Sequence, residues 1–181
     1  YAACQKKDIL FIVDEVQTGV GRTGTFYSYQ QFGIQPDLVS SAKGLGGGLP
    51  IGAVLFGEKT QDTLIPGDHG STFGGNPVVC AGAVEVLNRM DDTFLQNVTA
   101  KGRHMREEIE KMPHVTSVAG MGMMLGIELD IDVKPVVTAL MENGLLVLTA
   151  KHKMRLLPPL NIAQTELEKG LSILKNTLAA L

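Results

Sequence analysis

Residues 9–15 read Ile-Leu-Phe-Ile-Val-Asp-Glu, five apolar residues followed without transition by two acids. An apolar run of that length, rich in β-favouring side chains, fits a strand buried on both faces, as in parallel sheets. Such sheets gather ligands at the carboxyl ends of their strands, which is where Asp14 and Glu15 stand. Working outward, residues 19–24 form a glycine-punctuated loop and residues 25–32 an aromatic-rich helix. Pro36-Asp37 restarts the chain, and residues 38–42 make a second short strand that stops at Lys43. A glycine turn over 44–50 leads to a third strand at 51–56. The order strand, crossover, strand predicts an α/β layer architecture with a mostly parallel sheet.

Residues 67–77, Gly-Asp-His-Gly-Ser-Thr-Phe-Gly-Gly-Asn-Pro, are too glycine-rich for a regular element and predict a loop. The following helix, 78–90, is apolar nearly all round at its start, which predicts burial. A helix over 93–112 carries Leu95, Val98, Met105, Ile109 and Met112 on one face and ends at Pro113. Strands at 115–118 and 123–129 are joined by Gly120-Met121-Gly122. Asp132 caps a helix over 133–142 that Gly144 terminates. Short strands follow at 146–148 and 154–157. Thr165 and Glu168 have the spacing of a capping box for the last helix, whose Leu167, Leu171, Leu174, Leu178 and Leu181 form a core stripe. The change of texture divides the chain into residues 1–94, part of an α/β domain, and 95–181, a smaller α+β domain.

Composition narrows the function. Of 181 residues, 16 are basic and 19 acidic, a formal charge of -3, which disfavours general nucleic-acid binding. Apolar residues at 44% against 19% charged are the balance of a chain that buries a core. No apolar run approaches the ~20 residues that span a bilayer, and no basic segment followed by an apolar one opens the chain. Cys4 and Cys80 lack metal-ligand spacing and read as reduced thiols of a cytoplasmic compartment. The chain starts at Tyr1 and enters a core-like strand within eight residues, so we expect the C-terminal part of a longer protein.

The chemistry centres on Asp14 and Lys43, each at the end of a predicted buried strand. A pyridoxal phosphate site needs such a pair: an amine for the cofactor's carbonyl carbon, and a carboxylate that keeps the pyridine nitrogen protonated. Gly44 and Gly46–Gly48 allow close backbone approach, and Ser71 and Thr72 offer hydroxyl and amide donors for a phosphate. Rival readings exist. An apolar strand ending in Asp-Glu also fits a P-loop ATPase, although no Gly-x-x-x-x-Gly-Lys-Ser/Thr precedes it. Residues 19–24 match Gly-x-Gly-x-x-Gly, but they begin five residues beyond the strand and find Gly44 where an acid is required. Taken singly, a strand-end acid or lysine is more often solvated surface. His69 sits in the glycine loop, His104, His114 and His152 read as surface residues, and the methionines read as core filling.

The ordered motifs say more. Asp14-Glu15-Val16-Gln17-Thr18-Gly19, Gly21-Arg22-Thr23-Gly24, Pro36-Asp37, Ala42-Lys43, Gly46-Gly47-Gly48, Pro50-Ile51-Gly52 and Gly70 to Pro77 resemble the class III pyridoxal-phosphate aminotransferases of fold type I. Residues 122–128 and Arg155-Leu156-Leu157-Pro158-Pro159-Leu160 look most like the acetylornithine branch; the ornithine, succinylornithine and 4-aminobutyrate branches share most of the rest. The resemblance implies pyridoxal 5'-phosphate as cofactor, Lys43 as the amine that carries it, and Asp14 against the pyridinium nitrogen. It also implies Glu15, Val16 and Gln17 as neighbours of the ring. Thr72 would meet the phosphate of a neighbouring subunit's cofactor, which makes a homodimer with a shared active site. Ser71 and Arg155 would meet the substrate. The implied reaction moves the δ-amino group of N-acetylornithine to 2-oxoglutarate in two stages, with small-molecule partners and neither nucleic acid nor membrane. Members of this family are about twice as long, so these 181 residues alone are expected to bind cofactor weakly and to transaminate poorly or not at all, the alternative being a catalytically incomplete fragment that is no more than a folded module.

Overall fold

The computed structural model describes residues 1–181 and shows two compact units, Tyr1–Leu95 and Gln96–Leu181. After a short helix, α1 (Ala2–Lys6), the first unit builds a three-stranded sheet in the order β1 (Ile12–Asp14), β2 (Leu38–Ser41), β3 (Ala53–Phe56). The first strand is shorter than its apolar run. The Phe11 N–H donates to Asp37 Oδ2 at 2.7 Å and the Phe11 carbonyl accepts from the Asp37 N–H at 2.8 Å. A loop residue therefore takes the strand partner's place, and the ladder starts at Ile12.

β1 and β2 are parallel, with Asp14 opposite Ser40, whereas β3 runs antiparallel to β2, with Ala53 opposite Ser41. The sheet is thus mixed rather than mostly parallel. Its second link, residues 42–52, is shorter than the roughly dozen residues a parallel crossover needs. The expected burial of both faces also fails here. Ile12 is 62% exposed, and Val54 and Phe56 on the same face are exposed too, because little of the chain covers that side.

Val20, Leu45 and Ala83 form a small core with Ile51, Val86 and Met90. Ala83 comes from α2 (Pro77–Asn88), whose N-terminus is capped by Asn76 Oδ1 accepting from the amides of Val78 and Val79 at 3.0 and 3.3 Å. Only one stripe of α2 finds a partner; Val78, Val84 and Leu87 are exposed, contrary to the burial its composition predicts. Gly47, at φ +58, lets the turn after Lys43 meet this helix: a Cβ there would stand 2.8 Å from Val86 Cγ2. Residues 25–32 form a 3-10 helix, Ser28–Phe32, instead of an α-helix. Its entry is fixed by the Tyr27 N–H donating to Gln30 Oε1.

The second unit takes in most of α3 (Asp92–Ile109), then β4 (Val115–Met121), β5 (Met124–Leu129), α4 (Val133–Glu142), β6 (Leu148–Ala150), β7 (Lys153–Leu156) and α5 (Gln164–Ala179). Its antiparallel sheet has the order β4-β5-β7-β6. Alternation puts Leu125, Ile127, Met154 and Leu156 into a core shared with Val98, Met105, Ile109, Val136, Leu140 and the leucines of α5. The stripe on α5 stops at Leu178, since Leu181 is exposed. Asp132 caps α4 as expected. The capping box does not form: Ala163 is the N-cap of α5, and Glu168 instead pairs with His104 Nε2 at 2.7 Å and accepts from Gln164 Nε2 at 2.6 Å.

Gly102 of α3 lies directly against the β4–β5 hairpin, where an added Cβ would come within 2.3 Å of the Gly122 carbonyl oxygen. Helix propensity alone favours alanine over glycine by about 1 kcal/mol. Overpacking against backbone costs about 1–3 kcal/mol or more. Gly102→Ala is therefore expected to lower the melting temperature of the second unit, and a rise on thermal denaturation would contradict this contact.

Candidate active site

The site begins with strand register. Asp14 closes β1, and Lys43 follows β2 by two residues; because these strands are parallel, both residues stand at the carboxyl edge of one sheet. Asp14, Ser40 and Val54 lie in one cross-strand row and share a face. Asp14 Oδ1 accepts two hydrogen bonds, from the Val16 N–H at 2.9 Å and from Ser40 Oγ at 3.1 Å. Its second oxygen accepts none and is open to a ligand.

The same face borders a cavity of about 750 Å³, lined by Val16, Ser40, Ala42, Ile51, His69 and Ser71 among others. That volume lies in the range of small-molecule and cofactor sites. Asp14 is hydrogen-bonded to two residues of its wall, Val16 and Ser40, and Lys43 follows a third, Ala42. Ser71 lines it; Gln17 and Thr72 do not, and Thr72 lies exposed in the glycine loop.

Lys43 is exposed and has left-handed backbone, φ +48. For a residue with a Cβ this conformation costs about 1–3 kcal/mol and persists only where the surroundings impose it. Here the 3-10 turn Lys43–Gly46 imposes it, anchored by buried Leu45. Val20 packs beneath the turn, 3.4 Å from where a Cβ on Gly44 would lie.

Glu15 faces away from Asp14, as alternation at a strand end requires. It is fully buried, and its carboxyl group accepts from Thr18 Oγ1, from Ser28 Oγ and from the Tyr29 N–H at 2.9 Å. Its backbone is held as well, its N–H on the Ser40 carbonyl and its carbonyl by the Gly19 N–H, both at 2.9 Å. Glu15 is thus turned into the loop it organises, not toward the cavity where the sequence reading expected a ring contact. Burial, reinforced by Tyr27 and Glu15, pushes the Tyr29 phenol above its ordinary pKa, and burial lowers that of Arg22.

Arg155 belongs to the second unit. It lies on β7 opposite Gly126 and Leu148, on the sheet face away from the helices. Its Nε is buried without a hydrogen-bond partner, a deficit that an incoming anion can relieve. On the same face Glu128 accepts from Ser117 Oγ at 2.9 Å and pairs with Lys153 at 3.4 Å; these contacts hold its carboxyl below the usual pKa.

The model of the family described as "Aminotransferase class-III" matches residues 1–178. This chain belongs to the class III aminotransferases. An acetylornithine aminotransferase from Haemophilus ducreyi is 53% identical over 178 residues, 97% of this chain and 45% of that protein. Among solved structures, the ornithine aminotransferase of Toxoplasma gondii superimposes with a TM-score of 0.92 at 35% identity, over 99% of this chain and 45% of that one. The acetylornithine aminotransferase of Elizabethkingia anophelis gives 0.90 at 36% identity, over 99% and 48%. The Toxoplasma enzyme crystallised with oxidised glutathione is described with partial occupancy of PLP at its active site. The chain spans about half the length of the relatives it matches.

The structural role of Glu15 is open to measurement. Glu15→Ala leaves two hydroxyls and an amide without their acceptor and is expected to cost about 3 kcal/mol. Glu15→Gln keeps one acceptor oxygen and is expected to cost about 1 kcal/mol. Urea denaturation should rank the two variants in that order with an unchanged m-value. An alanine variant as stable as the parent would contradict the assignment.

Proposed function

We propose that these residues form the cofactor-bearing part of a pyridoxal-phosphate aminotransferase, in which Asp14 and Lys43 serve one cofactor. The observation that carries this reading is the pair itself: an acid with a free oxygen and a strained, exposed lysine at the carboxyl edge of two adjacent parallel strands. The donor set and the neighbouring cavity fit pyridoxal phosphate. When bound, that group supplies the electron sink for the pair released as the substrate's carbon–hydrogen bond breaks.

The roles of the protein's own groups follow from chemistry. Asp14 Oδ2 accepts the N–H of the pyridinium and keeps it protonated. Lys43 Nζ would hold the cofactor through its carbonyl carbon and, as a free amine during turnover, would take the proton from the substrate's amino-bearing carbon and deliver it to that cofactor carbon. Val16 offers an apolar wall to one ring face, and Gln17 an amide near the phenolic oxygen. Thr72 and the loop around it supply donors for a phosphate, in our reading that of a second subunit, so that a homodimer shares its sites. Ser71 and Arg155 meet the substrate, Arg155 through the charge-assisted bond that a carboxylate makes to a guanidinium. Glu15 supports the site from beneath and touches no ligand.

For the substrates we favour N-acetylornithine as amino donor and 2-oxoglutarate as acceptor, in a soluble cytoplasmic enzyme of amino-acid biosynthesis. The 53% identity to a protein named for that donor supports this choice. Ornithine is the second reading, favoured by the TM-score of 0.92 to an ornithine aminotransferase. Assay of the full-length protein with a panel of donors separates them. Glutamate formation from 2-oxoglutarate is expected to be fastest with N-acetylornithine, and preference for ornithine or 4-aminobutyrate would shift the assignment within the class. In the same protein Arg155→Ala is expected to raise KM for 2-oxoglutarate by about 10- to 100-fold, the range of a lost charged hydrogen bond, with a smaller change in kcat. An unchanged KM would remove Arg155 from the substrate site.

A further inference from the structure

The side chain of Asp14 ends in a soft torsion. Rotation about Cβ–Cγ is broad and nearly two-fold for aspartate, so nothing intrinsic decides which oxygen faces a ligand. Here two donors decide it. The Val16 N–H and Ser40 Oγ both bond Oδ1, at 2.9 and 3.1 Å, and leave Oδ2 free. The amide is immobile because Glu15, the residue before it, is fastened through backbone and side chain alike. The hydroxyl comes from the residue directly opposite Asp14 in the parallel ladder and itself lines the cavity.

We propose that Ser40 is a positioning residue: its hydroxyl, together with the Val16 amide, pins one oxygen of Asp14 and presents the other to a protonated heteroaromatic nitrogen. The proposal rests on the cofactor reading given above and adds to it the group that orients the acid. Without the hydroxyl, a single amide holds the carboxyl group and the Oδ2 bond to the ring nitrogen weakens. Ser40 is part-buried on a strand, a setting that accepts β-branched residues. Threonine therefore keeps the hydroxyl in place, and valine reproduces threonine's shape without it.

The test compares Ser40→Thr, Ser40→Val and Asp14→Asn in the full-length protein, loaded with pyridoxal phosphate labelled with 15N in the ring. Cofactor dissociation and the ring 15N shift are followed, with thermal melts as the check on folding. In Ser40→Val the 15N resonance is expected to move toward the neutral-pyridine value, and cofactor loss to quicken by about tenfold, as for a lost hydrogen bond to a charged group. Ser40→Thr should restore both. If valine and threonine behave alike while Asp14→Asn moves the resonance, the role of Ser40 is refuted and the cofactor reading stands. If Asp14→Asn also leaves shift and retention unchanged, both fall.

Discussion

A carboxyl group buried without a cation is costly unless its oxygens are satisfied, and Glu15 is satisfied only when the loop after β1 takes one conformation. Thr18, Ser28 and the Tyr29 amide must converge on it at once. That convergence fixes the chain on both sides of the candidate site. Toward Asp14 it sets the peptide whose N–H binds Oδ1. Toward Lys43 it holds the loop in which Val20, at φ +54, is pressed into the small core beneath Gly44 and Leu45. A left-handed valine is a strained residue, and its burial with Leu45 and Ala83 offsets that strain. The acid and the lysine thus depend on one buried group that touches neither.

The parallel pairing of β1 with β2 adds the second constraint. It puts the two strand ends on one edge, and its register sets Ser40 beside Asp14. The turn from Lys43 to Gly46 follows that edge, and the antiparallel β3 keeps Ile51 and Gly52, with Ala42, in the cavity wall beside it. A strand end locates the carboxyl group and a packed turn carries the lysine, while Ser71 lies in an exposed loop.

Much of this was legible in the sequence for physical reasons. The abrupt passage from Val13 to Asp14 marks a strand end, and Lys43 stands just past another, so the α/β character and the place of both residues at strand ends could be read from the pattern. The stripes of α3 and α5 likewise named most of their buried residues, Leu95 being only half-buried and Leu181 exposed, since periodicity survives without knowledge of the partner. What depends on contacts distant in sequence was hidden. Glu15 reads like its neighbour until Ser28 and Tyr29, thirteen and fourteen residues on, are seen to bond it. Ser40 acquires meaning only from strand register. The Thr165–Glu168 spacing fits a cap, but Glu168 binds His104, sixty-four residues away. Composition also misjudged α2 and β1: apolar residues reveal that a surface is fit to be covered, and the chain itself covers only part of it.

The central claim is that one cofactor joins Asp14 and Lys43, and borohydride trapping addresses it most directly. Full-length protein loaded with pyridoxal phosphate, reduced and digested, should carry the phosphopyridoxyl mass on the peptide containing Lys43. A label on a different lysine, or none on a protein that retains the cofactor, would contradict the account.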